Sequence, residues 1–328
     1  MVGQLKLSYS GIVICCVTAI AATALADKYQ APVMLFALLL GLALHFLYES
    51  PKHQTGVVFC SKTILRIAVG LLGVRVAFSD IVSLGYIPPL MIAACMVATI
   101  VCGVVLAKLL KLPTVMGVLS GGSVAICGVS AAAAITTVLP KKDFQEKFFA
   151  ITVIAVTTLS TLAMILYPLL TDALKLNDVL AGVFLGGSIH DVAQVIGAGY
   201  SISPEAGNVA TFIKLFRVML LLPIVLCIFF IFRDKDSKME GAASLFPPFL
   251  IAFIVLATLK NLGVIPDMLV EWINVISSNC LVVAIVAIGI KTSLKEIVSV
   301  GWKPVFLITF ETVFFAALIL TGIMMFMS

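Results

Sequence analysis

A chain of 328 residues that is 62% hydrophobic and only 11% charged excludes a water-soluble domain, in which about a quarter of the residues carry charge. Its mean hydropathy is +1.22, and no polar stretch leaves room for a soluble domain, so the fold class is an all-α integral membrane protein. The net charge of +5 is spread over loops, with no basic cluster on an aromatic platform, which excludes nucleic acid and leaves the lipid bilayer as the partner composition demands.

Eleven apolar segments are predicted, near residues 10–27, 31–48, 56–76, 88–110, 115–140, 145–170, 178–199, 205–232, 245–260, 267–290 and 300–326, within a single transmembrane domain over 1–328. The first, with Lys6 ahead of it and Ala24-Leu25-Ala26 behind, has the outline of a signal peptide. The internal repeat described below favours a retained helix instead. All six tyrosines, Trp272 and Trp302 fall near segment ends, where amphipathic rings meet the headgroups. The eight cysteines lie in or beside apolar segments without a ligand spacing, so no disulfide framework, metal site or other cofactor is expected.

Basic loops place the N-terminus in the cytoplasm, but eleven crossings strand Lys141, Lys142 and Lys147 on the wrong side. If the fifth and seventh segments are re-entrant, that cluster becomes cytoplasmic. Those two segments also carry the central glycines, so two broken or re-entrant central helices are predicted.

Gly73 to Pro88 aligns without gaps on Gly289 to Pro304, an offset of 216, with Gly, Ile-Val-Ser, Gly and Pro identical. The same offset brings Pro32 onto Pro248. Repeat halves of approximately 10–140 and 178–326 follow. The matched segments are an odd number apart, so the repeat is inverted, as in secondary transporters that bind substrate at the repeat interface. A weaker match links Gly117-Val118-Leu119-Ser120-Gly121-Gly122-Ser123 to Gly182-Val183-Phe184-Leu185-Gly186-Gly187-Ser188.

Backbone irregularity at membrane depth needs protein or water to satisfy the freed groups. Gly121-Gly122-Ser123, Cys127-Gly128-Val129-Ser130 and Gly186-Gly187-Ser188 are candidate breaks whose N–H groups would suit an anion; close helix packing by small residues is the alternative. His190, Asp191 and Gln194 follow in the seventh segment, as a substrate or proton site or as a buried polar network that ties the breaks together. Lys214 and Arg217 lie deep in the eighth segment, Arg66 in the third and Glu311 in the eleventh. An Arg66–Glu311 or Lys214–Glu311 pair would explain one cation. The interior tally still leaves a positive surplus, which a small anionic solute would neutralise.

The expected binding set is therefore Gly121, Gly122, Ser123, Cys127, Gly128, Ser130, Gly187, Ser188, His190, Gln194, Lys214 and Arg217, with Asp191 orienting His190 or carrying a coupling proton. The expected function is secondary transport by alternating access of a small organic or inorganic anion, in the export direction. A channel, or an intramembrane enzyme using the His190/Asp191 region with Cys127 or Ser130, stays open, although no nucleophile–base motif is recognisable. A homodimer is compatible with either reading.

Three motifs in order, Cys127-Gly128-Val129-Ser130-Ala131, His190-Asp191-Val192-Ala193-Gln194-Val195 and Lys214-Leu215-Phe216-Arg217-Val218 with Pro223, resemble the signatures of the bacterial YeiH family, whose members often carry a sulfate-exporter label. The family commonly has Glu where this chain has Asp191. The resemblance covers nearly the whole chain. It implies a multi-pass protein of the bacterial inner membrane, related to the cation:proton antiporter and anion transporter superfamily.

Overall fold

A computed structural model describes residues 2–29, 33–75, 85–140, 145–232, 248–292 and 302–327, which form helices and short turns with no strand among them. The helices are α1 (Val2–Tyr29), α2 (Val33–Ala43), α3 (Pro51–Phe59), α4 (Leu65–Leu71), α5 (Ile87–Leu109), α6 (Thr114–Ala125) and α7 (Val129–Val138). There follow α8 (Gln145–Ala173), α9 (Asp178–Ser188), α10 (Val192–Ile202), α11 (Pro204–Met219), α12 (Leu221–Phe232), α13 (Pro248–Asn261), α14 (Asp267–Lys291) and α15 (Trp302–Phe326). A π turn at Cys60–Ile64 joins α3 to α4, and a 3-10 turn at Leu72–Arg75 follows. Every predicted apolar segment has its helix or helix pair. Among the described residues, seven runs are long and apolar enough to cross a membrane: Tyr9–Tyr29, Pro51–Arg75, Ile87–Leu109, Phe148–Ala173, Pro204–Phe232, Asp267–Lys291 and Trp302–Phe326. The fifth and seventh segments are each split into two short helices, α6 with α7 and α9 with α10. Lys141, Lys142, Pro32 and most of the repeated stretch from Gly73 to Pro88 and from Gly289 to Pro304 lie outside the described residues.

The chain divides into two compact units. The first comprises Met1–Leu84, Ile196–Asn208 and Pro247–Ser293. Its helices approach through glycine: a methyl group on Gly41 would strike the Val286 carbonyl, and one on Gly289 would meet Leu38 and Gly41. Likewise a methyl on Gly73 would strike Phe253, with Ala257 beside it. The residues in the two contacts share one offset: 216 residues on from Gly73 is Gly289 and 216 on from Gly41 is Ala257. The boundaries agree too: 216 on from Pro51 is Asp267 and 216 on from Arg75 is Lys291. Along the run Pro51–Arg75 and its preceding turn, His45 meets Ile290, Ala68 meets Ser277 and Arg75 meets Asn274. Partners descend along α14 as the first run ascends, so these two helices are antiparallel.

The second unit comprises Gly85–Val195, Val209–Phe246 and Leu294–Ser328. Here α5 packs on α6, and α15 packs on α5, α6, α8 and α9. Proline at the first turn starts α5. A left-handed residue stops the helix ahead of each split segment: Lys111 (φ 58) after α5 and Lys175 (φ 53) after α8. In both turns the next residue closes a six-residue ring, Leu112 N–H to the Ala107 carbonyl at 2.8 Å and Leu176 N–H to the Thr171 carbonyl at 3.0 Å. Asn177 then caps α9 through the Leu180 N–H at 2.9 Å.

Candidate functional site

The first split falls at Ile126, Cys127 and Gly128. Gly128 adopts φ +64 with ψ −123, a conformation open to glycine, and a methyl there would lie 3.2 Å from a Val156 methyl. The second falls at Ile189, His190 and Asp191, directly after Gly186-Gly187-Ser188. Each split leaves the last carbonyls of α6 or α9 without a helical donor.

Two cations from α11 supply the donors. Arg217 gives Nε to Ala125 O (3.0 Å), Nη2 to Val124 O (3.0 Å), and Nη1 to both Gly186 O and Ile189 O (2.8 Å each). Lys214 gives Nζ to Ile126 O (2.7 Å) and Ile189 O (3.1 Å). Both side chains have no exposed surface, and the guanidinium also packs on the Phe315 ring at 4.9 Å. The C-terminal ends of α6 and α9, each carrying about half a negative charge, therefore meet at one cationic pair. Both cations hold helix-end carbonyls, and among the described residues neither Lys214 nor Arg66 pairs with Glu311. Arg66 itself is exposed on its helix rather than turned inward.

His190 spans the same place: Nδ1 lies 3.1 Å from Val124 O and Nε2 3.0 Å from the Thr312 hydroxyl. A carbonyl only accepts, so Nδ1 carries a hydrogen. Asp191 caps α10, accepting from the Ala193 N–H at 2.8 Å, while its own N–H donates to Ser160 Oγ at 3.1 Å. The short side chain suits that cap. Gln194 donates to Thr161 Oγ1 at 2.8 Å, and its Oε1 is buried without a partner among the described residues.

The remaining predicted residues divide. Ser123 and Ser188 return their hydroxyls to their own helices, at Leu119 O (2.5 Å) and Phe184 O (2.6 Å). Gly121, Gly122 and Gly187 sit inside helices against Ile100, Ile135 and Ile319, so for them the packing role is the one realised. Cys127 and Gly128 are buried in the split. Ser130 is exposed, and Val129, Asp191 and Val192 are partly so. The accessible side of the splits is thus the N-terminal ends of α7 and α10. At α7 no side chain caps the first N–H groups.

Sequence reasoning missed Thr312, Ser160 and Thr161, which are ordinary hydroxyls in apolar helices, and it considered Glu311 only as a salt-bridge partner. Glu311 is fully buried and accepts from Ser120 Oγ at 2.8 Å through Oε1. Its Oε2 has no partner among the described residues.

The sequence model of a family described as "Conserved hypothetical protein 698" matches residues 10–308. The chain is 47% identical to the UPF0324 membrane protein CT0845 of Chlorobaculum tepidum, over 96% of this chain and 89% of that one. It is 44% identical to the UPF0324 membrane protein TauZ of Paracoccus denitrificans, over 98% and 96%. A UPF0324 membrane protein of Pasteurella multocida is 30% identical over 92% and 91%.

Proposed function

Because the chain belongs to the family described as conserved hypothetical protein 698, the UPF0324 membrane proteins that include the YeiH family, and is a multi-pass membrane protein, we propose that it is a secondary transporter. Its cargo is a small inorganic or organic anion, carried outward across the bacterial inner membrane by alternating access. The observation that carries this reading is the pair Lys214 and Arg217, fully buried where two split helices end and without a carboxylate partner among the described residues. The half-charges of two C-terminal and two N-terminal helix ends cancel. Lys214 and Arg217 against Asp191 then leave one positive charge for an anion to balance.

The four guanidinium contacts and both ammonium contacts go to carbonyls. Direct contact with the anion therefore falls to the uncapped N–H groups of α7 around Val129 and Ser130, with Lys214 and Arg217 holding the field in place. An inside-negative potential of about 100 mV favours exit of one negative charge by about 2.3 kcal/mol. Alternating access draws support from the antiparallel pair formed by Pro51–Arg75 and Asp267–Lys291, with matched boundaries and matched glycine contacts. Those are the marks an inverted repeat would leave.

A thermal-shift series on purified protein with sulfate, sulfite, phosphate, nitrate and small carboxylates tests the reading. A true cargo at about 100 times its Kd stabilises the protein by about 2.7 kcal/mol. No shift with any of them would remove the anion. Topology is tested separately by labelling a single cysteine at Gln145 in a cysteine-free background; reaction only from outside would restore eleven crossings in place of re-entrant segments.

A further inference from the structure

Glu311 is a fully buried acid of the second unit with no cation within ion-pair distance among the described residues. It sits in the middle of α15 with no exposed surface. Ser120 Oγ, 2.8 Å from Oε1, is its one hydrogen-bond partner among the described residues, and that hydroxyl also lies 3.4 Å from Gly117 O. The site is built around the carboxyl: a methyl on Gly103 would collide with Oε1, and Gly103 and Gly117 face each other across α5 and α6. An ionised carboxylate in such surroundings, with one neutral donor and no cation, is strongly unfavourable, whereas a protonated one is not.

Among the described side chains its neighbours offer no other buried charge. From α5 the facing titratable group is Cys102, close enough to act on the carboxyl electrostatically, while Lys108 is exposed. α6 has no titratable side chain. α9 has only Asp178, in its first turn. On α8, Tyr167 packs at a tilt against Phe184 and Asp172 is exposed. His190 reaches the adjacent Thr312, and Arg217 packs on Phe315, one helical turn from Glu311 on the same face of α15. Glu311 is therefore near the cationic pair without touching it.

We propose that Glu311 is the proton carrier of this protein, taking up a proton as the anion binds and releasing it as the anion leaves. The coupling follows from charge. With Glu311 neutral, Lys214, Arg217 and Asp191 leave one positive charge for the anion; with Glu311 ionised that charge is already balanced. Proton and anion each favour the binding of the other, to the same degree. The coupling half rests on the anion-transport reading; the protonation half does not.

Infrared difference spectra recorded across a pH titration of the purified protein read the protonation directly. A protonated-carboxyl band is expected, lost in Glu311→Gln and kept in Asp191→Asn. A band that survives in Glu311→Gln, or none in the unaltered protein, overturns the proposal. Should Glu311→Gln fail to fold, Ser120→Ala keeps the carboxyl and removes its donor, and the band must move to higher frequency; an unmoved band is equally fatal. For the coupling, sulfate is added to lightly buffered protein with a pH indicator. The unaltered protein takes up protons as sulfate binds, and Glu311→Gln binds sulfate with that uptake lost. Uptake that persists in Glu311→Gln overturns the coupling. If sulfate neither shifts the melting temperature nor moves protons in either protein, sulfate is rejected as cargo, and the infrared result still decides Glu311.

Discussion

Each unit holds an arginine near a helix end, and the two are used in opposite ways. In the first, Arg75 is half-buried, donates to Asn274 Oδ1 (3.0 Å), Asn274 O (3.1 Å) and Ser278 Oγ (2.5 Å), and lies over the Tyr200 ring at 5.3 Å. The run Pro51–Arg75 stays helical through its π and 3-10 turns, and two of the three contacts of Arg75 go to side chains rather than to a broken helix end. In the second, Arg217 is fully buried and its four contacts end on backbone carbonyls, two of which, Val124 O and Ile189 O, it shares with His190 and Lys214. A split helix turns the backbone itself into a polar group, and the cation becomes part of the fold.

The comparison breaks first at Arg217→Ala. Ala125 O and Gly186 O lose their side-chain donor, while Val124 O and Ile189 O keep His190 and Lys214. Each buried acceptor left unsatisfied costs about 1–3 kcal/mol, so two should remove much of the folded protein, seen as loss of the monodisperse peak on size exclusion after membrane extraction. Arg217→Lys keeps the charge without the fork and should fold with a lowered melting temperature. A well-folded Arg217→Ala protein would show the split to be held by something else. Next comes Gly128→Ala, where a side chain is forced into a conformation open to glycine, at about 1–3 kcal/mol by thermal unfolding.

Gly41→Ala and Gly289→Ala in the first unit should each cost about 1–3 kcal/mol by overpacking. The two glycines face each other, so the double variant should cost less than the sum of the two. Strict additivity would argue against the contact. Arg75→Gln should be smallest, about 1 kcal/mol, with the anion-induced shift unchanged. A loss of that shift would bring the two arginines into one functional class.

Apolar length and aromatic ends made every segment readable, because the bilayer imposes length on the sequence itself. The split at Cys127-Gly128 was readable from the glycine and the polar neighbours; that Gly121-Gly122-Ser123 stays helical was not, since small residues serve packing and breaking alike. The depth of Lys214 and Arg217 was legible, but their partners were not. A carbonyl 88 or 92 residues away leaves no side-chain signature. Arg66 misled for a related reason: depth along an apolar run says nothing about which way the helix face turns. Glu311 invited a salt bridge because the sequence lists charges without distances.

The two lysine turns, at Lys111 and Lys175, have a consequence for the order of biosynthesis. Both close through contacts within six residues, so the α5–α6 and α8–α9 hairpins can form as soon as they are made. Arg217 is synthesised 92 residues after Ala125, a delay of roughly 5–20 s at the usual pace of translation. During that interval the carbonyl end of α6 has neither of its cations, and it must borrow water or the insertion machinery until α11 arrives. Slowing the ribosome between residues 140 and 204 should therefore lower the yield of inserted protein without changing its final stability.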